Sequence, residues 1–325
     1  MKIKLATFNL YQYAKPPYAW YTKKEKYNEE QWMEKSKWIK NQIIKMDCDI
    51  IGFQEVFSKD ALESLVKELG FYYFETVDTA KLSKKTYIST TVAIASKYPI
   101  TKMQRVKVNI PSLKKHNFTT PFTFARVPIK ATIMLPNKTG LLVYVAHLKS
   151  NRDNEFEYIF NKEHDLEHKQ EVVSKALEGT SATSLQQRLC EASSLFFNMK
   201  RVKDKPIVFL CDFNDKEFSL TIDALSNPKY HDDKSEEDLL LYDASYYYKE
   251  VVYNPHPEAK EPQRKATSYF LGRGNVLDYI FISKHFDVTN YVVLDEHLHE
   301  HGVDLLLKSD HAQVVCELTI KEESK

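Results

Sequence analysis

Polar side chains of three chemical types stand at or near the ends of apolar runs that are spread along the whole sequence. They are carboxylates, amides and imidazoles, namely Asn9, Glu55, His147, Asp212, Asn214, Asp278 and His311. Carboxylate and amide oxygens are the ligands that divalent cations such as Mg²⁺ prefer, and an imidazole can carry a positive charge near neutral pH. Together such groups can neutralise a phosphate ester and direct water onto phosphorus. The set is typical of sites that hold a divalent metal and phosphate, provided that the fold brings the strand ends together.

The stretch "LKSDHAQVV" at residues 307–315 adds another acid, because Asp310 stands next to His311 directly before an apolar run. The run is typical of a final strand, and two ionisable groups at its start are costly to desolvate unless other groups compensate them. A single acid or histidine at a strand end is usually a helix cap, a turn residue or a polar tip. Repetition of the pattern favours a site, because sites in layered α/β folds gather where strand ends converge.

Length and composition are sufficient for a large hydrophobic core. The chain has 325 residues, of which 43% are hydrophobic and 28% are charged. That length allows two domains, but no convincing linker separates two halves of the sequence. We therefore expect a single domain spanning residues 1–325, with a charged helical insertion at about 151–200.

The composition disfavours several classes of function. The seven glycines form no GxGxxG or Walker pattern, which argues against a nucleotide cofactor. The net charge of +1 gives no global attraction to nucleic acid, so recognition of a polyanion must be local. No apolar stretch approaches the roughly 18 residues of a membrane span, and the N-terminus is typical of a strand rather than a signal peptide. The four cysteines form no CxxC pair, so we expect reduced thiols in a cytoplasmic monomer that binds no membrane.

Hydrophobic periodicity predicts alternating strands and helices. Strands are predicted within residues 2–10, 47–56, 71–77, 91–96, 103–110, 127–135, 141–150, 205–215, 276–283 and 288–298, with a closing strand at the end. Helices are predicted over residues 29–46, 59–69 and parts of 151–200, and a surface loop over 13–28. The first helix has one apolar face, formed by Trp32, Ile39, Ile43 and Met46.

Six segments occur in the order and approximate spacing of one enzyme family. They are "LATFNL", "DIIGFQEV", "VAHLKS", "VFLCDFND", "VLDYIFIS" and "SDHAQVV", and they span nearly the whole chain. Together they resemble the endonuclease/exonuclease/phosphatase family, which shares the fold of DNase I, exonuclease III and the inositol polyphosphate 5-phosphatases. The resemblance implies a four-layer α/β sandwich, in which two mixed β-sheets pack face to face and helices flank them. It also implies Mg²⁺- or Mn²⁺-dependent cleavage of a phosphoester.

The resemblance assigns metal and water to one group of residues. Glu55 is the expected metal ligand, Asp310 is a possible second one, and Asn9 is expected to orient a metal-bound water or contact phosphate. Mg²⁺ keeps several waters, so few carboxylates are needed. Asp212 is expected to orient or deprotonate the attacking water, with Asn214 fixing its geometry.

The resemblance assigns the phosphate to a second group. His311 is expected to contact the scissile phosphate, and Asp278 to hold its imidazole and favour the charged form. His147 is expected to donate to a non-bridging oxygen. Arg126 and Lys149 are candidate substrate contacts, although a surface arginine and a solvated loop explain them equally well.

Two positions depart from the family pattern. Cys211 precedes Asp212 where many relatives have glycine, which reduces the room around the backbone. Tyr11 stands where some nucleases of the family have an acid, so one potential metal ligand is missing. The second departure weakens the analogy to abasic-site endonucleases.

Three functions are open at this point. The leading hypothesis is a nuclease that cleaves phosphodiester bonds in nucleic acid, since "HLKS" and "DFND" resemble the bacterial nuclease-like branch. A phosphatase or phosphodiesterase for a small or lipid phosphate, such as an inositol phosphate or sphingomyelin, is compatible with the near-neutral charge. A non-catalytic binding protein on the same fold predicts the loss of an essential side chain, and none is lost. A basic, aromatic-lined groove would favour the nuclease, and a closed pocket of clustered lysines would favour the small phosphate.

Two further segments have alternative interpretations. The segment "YAKPPYAWY" at residues 13–21 could stack nucleobases near the site, but a loop packed by its own tyrosines explains it as well. His297, His299 and His301 could form a zinc cluster on one face of a strand. Their charged, glycine-ended context favours a solvated loop.

Overall fold

Seventeen strands and six α-helices are found in the part of the chain that the computed structural model describes, which is residues 1–116, 118, 121–151, 158–178, 183–233, 239–248, 264–270, 272–302 and 304–321. The helices are α1 (Glu29–Met46), α2 (Lys59–Glu68), α3 (Ile110–Lys115), α4 (Leu166–Glu178), α5 (Thr183–Lys200) and α6 (Leu220–Ser226). The strands are β1 (Lys2–Tyr13), β2 (Ala19–Trp20), β3 (Ile50–Val56), β4 (Tyr73–Glu75), β5 (Leu82–Ser83), β6 (Thr86–Tyr87), β7 (Thr91–Ser96), β8 (Ile100–Arg105), β9 (Ile129–Met134), β10 (Gly140–His147), β11 (Ile207–Asp212), β12 (Tyr242–Asp243), β13 (Ser268–Phe270), β14 (Arg273–Asn275), β15 (Asp278–Ile282), β16 (Phe286–Leu294) and β17 (Gln313–Ile320). Within these ranges, no helix combines the length and the apolar character needed to cross a bilayer.

Helix α1 shows how the sequence sets the local structure. The Asn28 side chain accepts from the amide of Gln31, and the Gln31 side chain accepts from the amide of Asn28, which forms a capping box. The helix ends where Asp47 adopts a left-handed backbone with φ 46°. Its buried face consists of Trp32, Lys35, Ile39, Ile43 and Met46. The helix predicted over residues 29–46 is therefore confirmed.

Two six-stranded mixed sheets organise the fold. The first sheet has the strand order β16-β17-β1-β3-β7-β4, and the second has the order β12-β15-β11-β10-β9-β8. At the centre of the first sheet β1 and β3 are parallel, and at the centre of the second β10 and β11 are parallel. The remaining neighbours in the two sheets are antiparallel.

The two sheets pack face to face and are covered by helices on their outer sides. Aliphatic side chains of both inner faces, including Leu5, Val143 and Leu210, form one shared core without exposed surface. The sheets approach closely at Gly52, where a Cβ atom would lie 3.0 Å from the Cβ of Leu210 and 3.0 Å from the Cγ1 of Val145. Helices α1 and α2 cover the first sheet, and α5 and α6 cover the second. The predicted four-layer α/β sandwich is confirmed.

The strand predicted at residues 103–110 ends earlier than the hydrophobic pattern indicates. β8 stops at Arg105, and α3 begins five residues later. The Asn109 side chain caps α3 by accepting from the Ser112 amide, and Pro111 occupies the first turn. Proline is favoured there because the missing amide hydrogen has no partner in a first turn. The prediction of a strand beyond Arg105 is therefore wrong.

The segment at residues 13–28 is partly buried, so the prediction of a surface loop is wrong in part. It contains the short strand β2, and the rings of Tyr13 and Trp20 are at most 4% exposed. The Tyr13 ring packs on Trp32 of α1 at a centroid distance of 4.6 Å, and Trp20 packs on Tyr27 at 4.8 Å. Aromatic packing thus ties this segment to α1, the helix that covers the first sheet.

Residues 151–200 contain α4 and α5, while residues 152–157 and 179–182 lie outside the described part of the chain. Helix α5 lies on the second sheet and buries Leu189, Leu195 and Phe196 there. It therefore contributes to the outer layer although it lies within the predicted insertion. The division into one domain with a helical insertion stays a prediction.

Candidate active site

Three ionisable side chains form a row across the second sheet, at one end of its strands β10, β11 and β15. His147 ends β10, Asp212 ends β11 and Asp278 begins β15. The strand register pairs His147 with Asp212 and Asp212 with Asp278, so the three residues lie side by side. Each has at most 1% of its surface exposed, and His147 Nε2 lies 3.2 Å from Asp212 Oδ2. Strand pairing therefore brings together residues that the sequence separates by more than sixty positions.

Asn9 connects the first sheet to this row. It lies in β1 without exposed surface, and its Nδ2 donates to Asp212 Oδ2 at 2.8 Å. Its Oδ1 accepts from the amide of Tyr11 at 3.0 Å. Both polar atoms of the Asn9 side chain thus have protein partners, and Nδ2 holds Asp212 in place. The assignment of Asn9 to the metal site, where it would orient a metal-bound water or contact phosphate, stays a prediction.

Glu55 lies near the end of β3, where the neighbouring backbone leaves regular strand geometry. Its φ is 58°, and Tyr11 and Gln12 on β1 have φ values of 46° and 61°. The Gln12 amide donates to Glu55 Oε2 at 2.9 Å. Left-handed backbone is uncommon for residues with side chains and clusters at functional sites, where the surrounding structure maintains it. The irregular ends of β1 and β3 therefore fix the carboxylate of Glu55.

The turn before β17 closes the site. Ser309 Oγ donates to the carbonyl of Asn9 at 2.8 Å and accepts from the amide of His311 at 3.0 Å. His311 Nδ1 lies 2.7 Å from Asp278 Oδ2, and its Nε2 lies 4.0 Å from Asp212 Oδ2. The turn therefore presents the imidazole to carboxylates of the second sheet.

The two histidines of the site differ in charge at neutral pH. Burial lowers the pKa of His311, but the carboxylates of Asp278 and Asp212 outweigh burial and raise the pKa well above 6.5. Burial, assisted by the charges of Arg126 and His311, lowers the pKa of His147 well below 6.5. At neutral pH the site therefore contains one imidazolium, at His311, and one neutral imidazole, at His147.

Two carboxyl groups of the site bind protons more tightly than usual. Burial raises the pKa of Asp212 to about 7, with His311 opposing the shift and Asp278 adding to it. Burial also raises the pKa of Asp310 to about 6, and the charge of Glu55 contributes. Among the described residues, Oδ1 of Asp278 and Oδ1 of Asp310 are buried without a hydrogen-bond partner. Buried carboxylate oxygens that lack hydrogen-bond partners fit a bound cation.

One group of side chains could itself hold a metal. Ligand atoms of Asp212, Asp278 and His311 all lie within 4.8 Å of one another. However, His311 is already bonded to Asp278, and a protonated imidazole has no lone pair to offer a cation. Glu55 and Asp310 are therefore the better candidates for metal ligands.

The other predicted residues lie in the turns after β10 and β11 or, in the case of Arg126, contact the first of these turns from the segment before β9. The backbone amide of Asn214 donates to Asp212 Oδ1 at 3.0 Å, and the side-chain Nδ2 of Asn214 donates to the carbonyl of Leu148 at 3.1 Å. Arg126 Nη1 donates to the same Leu148 carbonyl at 3.0 Å. Lys149 follows directly in the chain and is half-exposed. Contact of Arg126 and Lys149 with substrate stays a prediction.

Helix α5 supplies two buried charges that support these turns. Glu191 accepts from the amides of Ala125 at 2.7 Å and Lys149 at 2.8 Å. Arg188 Nη1 donates to the carbonyl of Lys149 at 3.3 Å, and its Nε donates to Asp215 Oδ2 at 3.3 Å. The sequence analysis missed Glu191; an acid on the apolar face of an otherwise helical stretch is the signal that could have found it.

Lys35 is a second residue that the sequence analysis missed. It has no exposed surface, and its Nζ donates to the carbonyls of Leu306 at 2.9 Å and Lys308 at 2.8 Å. Burial lowers its pKa to about 7, while the charge of Asp310 opposes the shift. The two carbonyls belong to residues that lie four and two positions before Asp310 in the chain. Lys35 therefore fixes the turn that carries Asp310, and a lysine on the apolar face of α1 was the available signal.

The histidine string near the C-terminus is only partly solvated. His299 and His301 are exposed, as the predicted solvated loop requires. His297 is 4% exposed, its ring packs on Trp38 at 4.9 Å, and its Nε2 lies 3.1 Å from the carbonyl of His311. The prediction of a solvated loop is wrong for His297, because this ring supports the backbone of the site.

Comparison with known proteins places the chain in one family. The model of the Endonuclease/Exonuclease/phosphatase family matches residues 6–311. No curated protein gives a significant match. Among solved structures, a family protein from Bacteroides thetaiotaomicron is 17% identical, and the superposition covers 99% of each chain with a TM-score of 0.60.

Two further structures are similar. The human Nocturnin catalytic domain with bound sulfate is 16% identical, with 98% of this chain and 94% of that chain covered and a TM-score of 0.60. D. rerio TDP2 in complex with a single-strand DNA product is 11% identical, with 98% and 99% covered and a TM-score of 0.58. At these identities the likeness shows the fold alone. Because the family model spans nearly the whole sequence, the chain belongs to the endonuclease/exonuclease/phosphatase family of phosphoester hydrolases.

Proposed function

We propose that this protein is a divalent-metal-dependent phosphodiesterase that hydrolyses nucleic acid. The observation that carries the proposal is the buried His311, with Nδ1 2.7 Å from Asp278 Oδ2 and Nε2 4.0 Å from Asp212 Oδ2. This arrangement puts a cation and a proton acceptor at one edge of the sheets. Displacement at phosphorus by water needs both, because negative charge develops on the phosphoryl oxygens while the water loses a proton.

Glu55 and Asp310 are the proposed ligands of Mg²⁺ or Mn²⁺, and enzymes of the family generally use divalent metals. The donor set fits a hard cation, since both are carboxylates and Oδ1 of Asp310 is buried without a hydrogen-bond partner among the described residues, its nearest cationic atom being His311 Nε2 at 3.9 Å. The charge of Glu55 helps to raise the pKa of Asp310, and a bound cation would relieve that repulsion. The cation would supply neutralisation of phosphoryl charge.

The side chains of the site divide the remaining work. Protonated His311 is proposed to donate to a phosphoryl oxygen of the scissile group. Asp212 is proposed to accept a proton from the attacking water, and its pKa of about 7 makes it a stronger base than an ordinary aspartate. Asn9 and Asn214 each hold one oxygen of Asp212 at 2.8 Å and 3.0 Å. Neutral His147 lies 3.2 Å from the same carboxylate and completes its orientation.

An open cleft whose walls adjoin site residues in sequence supports a nucleic-acid substrate over a small phosphate. Its volume is about 1290 Å³, and its walls include residues 216–218, which follow Asn214, and residues 275–276, which precede Asp278. Its aromatic and basic lining includes Phe160, Lys216, Phe218, Tyr246, Phe270 and Arg273. Aromatic rings that line an open groove suit bases of a polynucleotide. Arg126 and Lys149 are proposed phosphate contacts near the turn after β10.

The test is a substrate panel with Mg²⁺, with and without EDTA. Single-stranded DNA, duplex DNA, RNA, inositol phosphates and sphingomyelin are incubated with the full chain and with His311→Ala as the matched inactive control. The proposal expects EDTA-sensitive cleavage of at least one polynucleotide by the wild type and none by the variant. Turnover of a small or lipid phosphate alone would contradict the nuclease assignment. Inertness toward every ester would contradict the hydrolase itself.

A further inference from the structure

A second cleft, separate from the one described above, lies between α1, α2 and the segment that follows β1. Its volume is about 700 Å³. Four lysines line it, namely Lys15, Lys37, Lys40 and Lys59. For convenience it is called the lysine cleft.

The lysine cleft has an uncompensated positive charge. Lys40 is paired with Glu68 at 2.8 Å. Among the described residues, Lys15, Lys37 and Lys59 have no carboxylate within the 4.0 Å that defines an ion pair. The carboxylates that line the cleft are Asp60 and Glu68, half as many as the lysines. In a chain whose net charge is only +1, this cleft is a local concentration of cations suited to an anionic ligand.

Aromatic rings line the same space. Tyr18 and Tyr87 border the cleft, are half-exposed and pack on each other at a centroid distance of 5.4 Å. Tyr87 also contacts Phe57 at 5.5 Å, and its hydroxyl lies 3.4 Å from Ser58 Oγ. These contacts hold the rings, so that a planar group could stack on them without ordering a flexible side chain.

The lysine cleft and the candidate active site share their supporting strands. Ser58, at the cleft, lies three residues after Glu55, and Tyr13 lies four residues after Asn9. The amide of Lys15 donates to Ser58 Oγ at 2.8 Å, and the amide of Ser58 donates to the carbonyl of Tyr13 at 3.0 Å. A polymer that leaves the site along the ends of β1 and β3 therefore meets the lysine cleft.

We propose that the lysine cleft binds a single-stranded segment of a nucleic-acid substrate, next to the scissile phosphate. The inference rests on the proposed function, whose substrate class it makes more specific. The lysines contact successive backbone phosphates, which releases counterions and makes binding depend on salt. Tyr18 and Tyr87 stack unpaired bases, because bases within a duplex are already stacked on each other.

The experiment measures binding of a fluorescent 15-nucleotide single strand by anisotropy in EDTA, where hydrolysis is suppressed, from 50 to 300 mM salt. The test variant replaces Lys15, Lys37 and Lys59 with glutamine. The matched control makes the same change at Lys102, Lys138 and Lys205. These are exposed lysines without a carboxylate within 4.0 Å among the described residues. A third variant has arginine at the three cleft positions and retains the charge. Hydrolysis of bis(p-nitrophenyl) phosphate with Mg²⁺ is measured for all four proteins.

The proposal expects the glutamine variant to bind at least tenfold more weakly. The slope of the logarithm of the binding constant against the logarithm of salt concentration should become less steep by about 2, because each of the three lost phosphate contacts accounts for about 0.7. The arginine variant and the distant control should bind as the wild type does, and hydrolysis of the small ester should be unchanged. Unchanged affinity and slope in the glutamine variant, or an equal loss in the control, would overturn the proposal. Weaker binding in a protein that cleaves no polynucleotide would support the cleft while contradicting the nuclease function.

Discussion

His311 and Asp278 form the shortest ion pair within the candidate site, with 2.7 Å between Nδ1 and Oδ2. Asp278 lies at the start of a strand in the second sheet, and His311 lies in a turn before a strand of the first. The pair therefore joins the two sheets, and it keeps the imidazole charged despite burial. A charge held in this way is available to a phosphate over a wide range of pH.

Asp278→Asn should reduce kcat/KM by about 10²–10⁴-fold and shift the alkaline limb of the pH profile to lower pH. The carboxylate of Asp278 helps to raise the pKa of His311 well above 6.5, so its removal allows the imidazole to lose its proton near neutrality. Rates measured from pH 5.5 to 9.5 on a polynucleotide check both effects. An unchanged alkaline limb would show that His311 does not act as a cation.

Asp310→Asn should weaken stabilisation by Mg²⁺ without destabilising the metal-free fold at pH 8. The folded pKa of this carboxyl is about 6 against an ordinary 3.8, so its contribution to stability declines as pH rises through that window and the full penalty applies above it. The asparagine removes the penalty and one metal ligand together. Thermal unfolding at pH 8, with EDTA and with Mg²⁺, measures both. A full Mg²⁺ shift in the variant would exclude Asp310 as a ligand.

Lys35→Met should lower kcat by about tenfold or more, because the turn before Asp310 loses two hydrogen bonds to its carbonyls. KM for a polynucleotide should change less than kcat, since Lys35 is buried and touches no substrate. Hydrogen exchange of residues 304–311 should become faster in the variant. Lys138→Met, at an exposed position, serves as the control. Wild-type exchange in this turn, with wild-type kcat, would disprove the positioning role.

Acid should destabilise the protein partly through His116, which is 6% exposed with Nε2 3.2 Å from Ser193 Oγ. Burial, with the charges of Lys115 and His231, lowers its pKa from 6.5 to about 4. Between these values the unfolded chain binds a proton that the folded chain does not, so stability falls as pH falls. His116→Gln should reduce that slope by up to about 1.4 kcal/mol per pH unit in urea unfolding. His301→Gln, at an exposed position, serves as the matched control.

The site residues at strand ends were predictable from the sequence because short apolar runs end in polar residues. His147, Asp212 and Asp278 could be chosen on that basis, and the strand register brings the three together. Helix α1 was predictable from its apolar spacing. The family motifs supplied the two-sheet sandwich, which periodicity alone does not specify.

Other features depend on tertiary structure and could not be predicted from local patterns. Lys35 is buried because two carbonyls some 270 residues away satisfy it. The left-handed backbone at Glu55 follows from the pairing of β1 and β3. The sequence does not indicate it, because the residue that commonly adopts this backbone is glycine and here it is a glutamate. Segment 13–28 is polar in composition yet is held by ring packing against α1. Each is set by partners distant in sequence.

The most direct test of the account is the rate of polynucleotide hydrolysis by wild type and His311→Ala at pH 7.5 with Mg²⁺, on proteins shown to fold alike by circular dichroism. A metal-dependent site built around His311 predicts wild-type cleavage that EDTA abolishes and a loss of about 10³-fold or more in the variant. Equal rates in the two proteins, or wild-type cleavage that persists in EDTA, would contradict a metal-dependent site built around His311.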